Sequence, residues 1–179
     1  MSLPNILTFA RILLIPAFAT LFLYGRYREA LGAFVAASVT DVLDGAIARR
    51  RNQQSGLGSY LDPLADKGLL LTAFAALASV RSVPLWALVT VCTREVVIVA
   101  GWTIRHLLTR SRTVVPSALG KATTVAQVVS VTALLVHREY ALPHDLAVRS
   151  LDVAMALTVI SGLDYLYRGL RELEPGKPG

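Results

Sequence analysis

Residues 30–80 read ALGAFVAASVTDVLDGAIARRRNQQSGLGSYLDPLADKGLLLTAFAALASV: two apolar runs joined by a short polar stretch, with Asp41, Asp44, Asp62 and Asp66 where the runs meet the join. Each run approaches the 20 or so mostly apolar residues that a membrane-crossing helix needs. The join, Arg49 to Ser59, holds three arginines, Asn52, Gln53, Gln54, Gly56 and Gly58, which suits an exposed turn between antiparallel neighbours. Carboxylates close to lipid are costly unless something compensates them. Four of them within 26 residues point to a bound cation or a proton path, and mark the place to look for function.

The rest of the chain repeats the apolar pattern. Of 179 residues, 54% are hydrophobic and only 17% charged, which is wrong for a small soluble core and right for a membrane protein. Six candidate spans emerge, at approximately Ile6–Tyr24, Ala30–Ala48, Leu64–Val80, Val83–Ile104, Ala118–His137 and Leu146–Tyr167. Gly25 with Arg26, Ser82 with Pro84, Pro116 and Pro143 punctuate them. Pro4 near a helix start and Arg11 within the first turns predict a short N-terminal interfacial segment before the first span. That segment has no basic start and Arg11 stands where a signal peptide's apolar region should begin, so it is expected to be retained. The expected fold is therefore all-α: a polytopic integral membrane protein of six transmembrane helices, with residues 1–179 forming a single domain.

Charge sets the expected orientation. The net charge is +6, but the basic residues fall between apolar segments instead of forming a stripe with interleaved aromatics, so nucleic acid is not expected as a partner. One side of the six spans receives Arg11, Arg49, Arg50, Arg51, Lys67, Arg105, Arg110, Arg112, Lys121, Arg168, Arg171 and Lys177; the other receives Arg26, Arg28, Arg81, Arg138 and Arg149. The excess of basic residues puts both termini, and the aspartates, on the cytoplasmic side of a cell membrane, expected to be the inner membrane of a bacterium. A basic rim there suits anionic headgroups and phosphorylated substrates. Cys92 is the sole cysteine, so neither a disulfide framework nor a cysteine metal site is expected.

Helix geometry organises the aspartates further. Asp41 and Asp44 are three apart and Asp62 and Asp66 four apart, so each pair shares a helix face. Asp62 followed by Pro63 also predicts a helix start, with the aspartate as cap. Four converging carboxylates raise one another's pKa and cannot all stay ionised without cations. Hard divalent ions relieve this, and paired ions recur in phosphoryl chemistry; a site for two Mg2+ is expected, with Mn2+ as an alternative. Gly45 and Ala48 leave room for a ligand to approach the backbone, and Arg49 is placed to meet a phosphate.

Written out, Asp41, two residues, Asp44, Gly45, two residues, Ala48, Arg49, eight residues, Gly58, three residues, Asp62, three residues, Asp66 resembles the signature of the CDP-alcohol phosphatidyltransferase family. The similarity extends through Pro4, Asn5 and Thr8, and through Gly120, Lys121, Thr124 and Gln127. The resemblance implies a six-helix membrane enzyme, usually a homodimer, that transfers a phosphatidyl group from CDP-diacylglycerol to an alcohol and releases CMP. It implies that Asp41, Asp44 and Asp62 ligate metal and that Asp66 is a ligand or the general base. It also implies that Asn5, Thr8, Gly45, Ala48, Arg49 and Gly58 contact or pack against the CDP-lipid.

The acceptor is read from basic residues beyond the signature. Arg94, Arg105, Arg110, Arg112 and Lys121 are candidates to hold an acceptor phosphate, because guanidinium forks match phosphate geometry and lysine supplies a mobile charge. Ordinary attraction of loop charges to anionic lipid is the alternative for Arg110 and Arg112. Arg94 lies inside a span, and its neighbour Glu95 points about 100° away on a helix, so a local pair is not expected and Arg94 should face the interior. The Arg94–Glu95 pair resembles the branch of the family that uses glycerol 3-phosphate. That branch has a further arginine eight positions on, where this chain has Trp102, with Arg105 one turn later. This keeps open the branch that uses phosphatidylglycerol, with an inositol phosphate acceptor third. A small cation transporter built on the aspartates is the reading from another class, although their position at one helix end argues against it.

Other residues are expected to be structural. His106, His137 and His144 show no ligand spacing; Trp86, Trp102, Tyr140, Tyr165 and Tyr167 suit membrane-interface positions. Ser161 and Gly162 should let the last span pack closely against a neighbour, with a dimer contact as one option.

Overall fold

A computed structural model describes the backbone of residues 3–51, 58–109, 118–140 and 142–173, and the side chains of 12–40, 67–101, 118–140 and 142–169. Among the described residues there are six helices and no strand: α1 Leu3–Leu23, α2 Tyr27–Arg51, α3 Gly58–Ser79, α4 Leu85–Thr109, α5 Ala118–Tyr140 and α6 His144–Leu173. The expected interfacial segment is not a separate element, since Leu3 to Leu23 is one continuous helix that carries Pro16 within it. A second correction concerns α3. The helix starts at Gly58, so Asp62 and Pro63 lie inside it and Asp62 is not its cap; Pro63 is the sixth residue of the helix, past its first turn, and lacks the N–H that would close one intrahelical bond there. The expected turn at Asn52, Gln53, Gln54, Ser55 and Gly56 and the tail Glu174–Gly179 lie outside the described residues.

Helix ends follow local chemistry. Gly25 takes φ 74° after α1; its N–H donates to Phe22 O and that of Arg26 to Leu21 O, the pair of bonds that closes a helix on a left-handed residue. Arg81 repeats this after α3 with φ 58°, donating to Ala78 O while Ser82 donates to Leu77 O, although a side chain makes that conformation less favourable than glycine would. Pro84 and Pro143 precede α4 and α6, where their carbonyls accept from Ala87 and Ala147. At the start of α2 the exposed Glu29 carboxyl is held below its ordinary value, first by a backbone hydrogen bond and then by the Arg26 guanidinium.

Inward residues recur at helical spacing. Phe18 and Phe22 of α1, Ala30, Phe34 and Ala37 of α2, Ala73 and Leu77 of α3, Ala87 and Val91 of α4, Val131 and Leu135 of α5, and Ala147, Leu151 and Ala154 of α6 are all buried. The alanines let backbones approach, while the rings of Phe18, Phe22, Phe34 and Tyr27 meet in tilted and edge-on pairs at centroid distances of 5.2–5.9 Å. Outward faces are also apolar, with Leu13, Leu23, Leu85, Val96, Val125 and Leu163 all exposed; a surface of this kind belongs in lipid. Among the described residues two segments, Ala118–Tyr140 and His144–Gly169, are long and apolar enough to cross a membrane.

The packing order differs from the expected adjacency of the second and third helices. α1 packs against both α2 and α3, α5 against α6 and α2, and α4 against α6 and α3, while α2 and α3 touch only slightly. Their antiparallel sense is nonetheless clear. Arg138, near the end of α5, donates to Ser82 Oγ at 2.8 Å and to Tyr27 Oη at 3.0 Å, with its guanidinium 4.5 Å from the Tyr27 ring centroid. One side chain thus ties the start of α2 to the ends of α3 and α5, at the end of the bundle opposite the aspartates.

Polar bonds lock α5 and α6. Gln127 Nε2 donates to Thr158 Oγ1 at 2.9 Å and Thr123 Oγ1 to Leu157 O at 3.1 Å, which satisfies groups that are fully buried. Tyr165, expected at the membrane interface, donates to Ile98 O at 3.2 Å with its ring over Gly101. A Cβ at Gly101 would lie 2.6 Å from Tyr165 Cε1, whereas one at Gly32 meets nothing within 4 Å. Gly101→Ala should therefore destabilise by about 1–3 kcal/mol and Gly32→Ala should not. Thermal unfolding of the two variants in detergent checks this, and equal midpoints would contradict it.

Candidate active site

Helix register carries the aspartates to one level. Asp41 lies about 20 Å along α2 from Tyr27, and Asp66 about 20 Å along α3 from Ser79; Asp44 and Asp62 each lie about 25 Å from the same two ends. Because Arg138 binds those ends together, both acidic pairs fall at the opposite end of the bundle. The side chains of Asp41, Asp44, Asp62 and Asp66 lie outside the described residues, as do those of Asn5, Thr8, Ala48, Arg49 and Arg105, while Gly45 and Gly58 are placed only as backbone on α2 and α3. Arg110 and Arg112 lie outside altogether. Among the described side chains no group of three or more His, Cys, Asp or Glu is arranged to hold a metal. The donor set that suits a hard divalent ion is the aspartate quartet, all oxygen and all at one level.

Next to this level the structure forms a charge cluster that the sequence signalled only in part. Arg94 is 9% exposed and faces the interior, as expected. The expectation that it would not pair with Glu95 is corrected: Arg94 Nη1 donates to Glu95 Oε1. Cα directions 100° apart do not forbid the pair, because the long arginine stem folds back along the helix until its head meets the carboxylate. The second oxygen, Glu95 Oε2, lies 2.7 Å from Lys67 Nζ of α3, close enough for an ion pair although off the axis of a hydrogen bond. Arg94 Nη2 lies 3.4 Å from Ser161 Oγ of α6, and Arg94 Nε has no hydrogen-bond partner among the described residues. Among the described residues, two cations and one carboxylate leave this cluster with net positive charge in surroundings that screen it poorly.

Sequence reasoning placed Arg94 in the interior and missed Lys67, Glu95 and Ser161 as its companions. The signal was available, since an acidic residue inside a span needs a cationic partner and Lys67 directly follows Asp66. Ser161 and Gly162 do provide a close approach, as expected, but to α4 of the same chain: Ser161 is buried and a Cβ on Gly162 would lie 3.8 Å from Arg94 Cγ. Lys121 is exposed in the first turn of α5. His137 and His144, read as separate, have ring centroids 5.3 Å apart, with His137 Nδ1 against Leu142 O.

The model of the CDP-alcohol phosphatidyltransferase family matches residues 1–162. The chain belongs to that family. A CDP-diacylglycerol–glycerol-3-phosphate 3-phosphatidyltransferase of Bacillus subtilis is 36% identical, over 97% of this chain and 97% of its own. A probable phosphatidylglycerophosphate synthase of Mycobacterium tuberculosis is 34% identical over 96% of this chain and 83% of its own. A human cardiolipin synthase (CMP-forming) is 40% identical, but over 56% of this chain and 34% of its own. The protein is thus a membrane phosphatidyltransferase of phospholipid biosynthesis, and the cation-transporter reading falls. CDP-alcohol phosphatidyltransferases as a family act on a CDP-alcohol and an alcohol acceptor and generally depend on a divalent metal.

Proposed function

We propose that this transferase moves the phosphatidyl group of CDP-diacylglycerol to glycerol 3-phosphate, forming phosphatidylglycerophosphate and CMP. The observation that carries the choice of acceptor is the end-to-end similarity to a protein named for that reaction. Similarity to the cardiolipin synthase is confined to 56% of the chain. The largely buried cluster around Arg94, net positive among the described residues, supports an acceptor that carries its own phosphate, and Arg105, Arg110, Arg112 and Lys121 are proposed to extend that basic surface.

In this reading all six helices cross the membrane, with both termini and the aspartates in the cytoplasm, as the basic residues favour. The enzyme works as a homodimer in a bacterial inner membrane, so the diacylglycerol chains stay in lipid throughout. Asn5, Thr8, Gly45, Ala48, Arg49 and Gly58 hold the CDP-lipid, the small residues admitting the diphosphate close to the backbone and Arg49 opposing its charge. Asp41, Asp44, Asp62 and Asp66 are suited to two divalent ions, magnesium or manganese, which when bound would neutralise the diphosphate and the charge that gathers on departing CMP. Asp66 takes the proton from the acceptor hydroxyl. The hydroxyl oxygen forms a bond to the phosphorus that carries diacylglycerol, and the bond from that phosphorus to the CMP oxygen breaks. Arg94 and its neighbours hold the acceptor's phosphate away from the reacting oxygen, which orients the hydroxyl and lowers the entropy lost on reaching the transition state.

An acceptor panel tests this reading. Purified protein in lipid vesicles, given CDP-diacylglycerol and magnesium, should release CMP with glycerol 3-phosphate at least about tenfold faster than with phosphatidylglycerol or an inositol phosphate, the discrimination expected of one charged contact. Faster release with phosphatidylglycerol would identify a cardiolipin synthase instead.

A further inference from the structure

We infer that Glu95 is a positioning residue that locks the acceptor-side Arg94 of α4 to Lys67 of α3, the residue that follows Asp66, and so sets the distance between the acceptor site and the proposed catalytic base. This rests on the reading above, in which Arg94 holds the acceptor phosphate and Asp66 takes the proton. The observations are geometric. One carboxylate divides its two oxygens between cations on different helices, Oε1 to Arg94 and Oε2 to Lys67. The three side chains are 9%, 12% and 29% exposed for Arg94, Glu95 and Lys67, so water competes little for them. Among the described residues, the guanidinium without Glu95 would keep only the long 3.4 Å contact with Ser161.

Two effects of the carboxylate oppose each other, and their signs separate the inference from its rival. As a negative charge beside the acceptor phosphate, Glu95 repels it, so its neutralisation alone would tighten acceptor binding. As a clamp, it holds the arginine fork where the phosphate arrives, and its loss would weaken acceptor binding. The clamp should dominate. Both oxygens are already engaged by cations, which offsets most of the repulsion, whereas the other contact of the guanidinium among the described residues is the long one with Ser161.

The test is steady-state kinetics of CMP release by the full-length protein in vesicles, varying glycerol 3-phosphate and CDP-diacylglycerol separately. For Glu95→Gln the acceptor KM should rise about tenfold, as expected for the loss of one charge-assisted bond, with the donor KM within about twofold; Glu95→Asp should recover part of the loss. Lys67→Gln opens the same bridge from α3 and serves if Glu95→Gln does not fold. Its acceptor KM should also rise, and the double variant should be no worse than the worse single one, since both break one bridge. A fall in acceptor KM, equal changes in the two KM values, or losses that multiply in the double variant would overturn the inference. Wild-type protein that releases no CMP with any acceptor would overturn the functional reading on which it rests.

Discussion

Replacing Asp66 with asparagine is expected to reduce CMP release by about a thousandfold, the middle of the range for removing a general base, and to leave the fold intact. Asparagine matches the shape of aspartate but cannot accept the acceptor's proton at neutral pH. Asp66 sits on α3 one residue before Lys67, whose ion pair with Glu95 the substitution does not touch. Helix content and the thermal midpoint in detergent should therefore match wild type while turnover collapses. The informative quantity is kcat at saturating donor and acceptor, because a base acts on the reacting hydroxyl and not on substrate affinity. A kcat within tenfold of wild type would show that the proton leaves by another route.

Asp44→Asn should fail differently. Asp44 is proposed to hold metal and not to move a proton, so its loss weakens ion binding and turnover together. Removing a direct ligand should exceed the tenfold to hundredfold effect of disturbing a ligand's own support, so activity at fixed magnesium should drop by more than about a hundredfold. Raising magnesium or manganese should recover part of it, whereas Asp66→Asn should stay inactive at any metal concentration. Chelation of the wild-type protein should abolish activity, with recovery on adding the divalent ion back. Metal-independent turnover would overturn the two-ion reading, and identical metal titrations for Asp44→Asn and wild type would remove Asp44 from the site.

How much of this was legible in the chain depended on whether the signal was local. The helices were, because apolar runs and their punctuation act over a few residues: Gly25, Pro84 and Pro143 mark turns where the sequence places them. The start of α3 was misjudged, since Asp62-Pro63 looks like a helix start but also fits within a helix that begins a turn earlier. The packing of Tyr165 was not legible for a different reason. A tyrosine suited to the membrane interface is equally suited to lie over a glycine on a neighbouring helix, and that contact is a matter of packing.

The pairing of Arg94 with Glu95 shows the same limit. Angles along one helix argued against it, but a flexible side chain seeks the lowest-energy partner within reach, and in a site poor in water an adjacent carboxylate is hard to surpass. The sequence by itself determined the family, the donor chemistry and the aspartate signature, because these rest on residue types at fixed spacing along two helices. The tertiary structure alone decided which helices lie side by side, that Arg138 draws the ends of α2, α3 and α5 together, and that Lys67, Glu95, Arg94 and Ser161 from three helices meet in one cluster. Contacts between helices depend on how their faces pack, and packing is a property of all six at once.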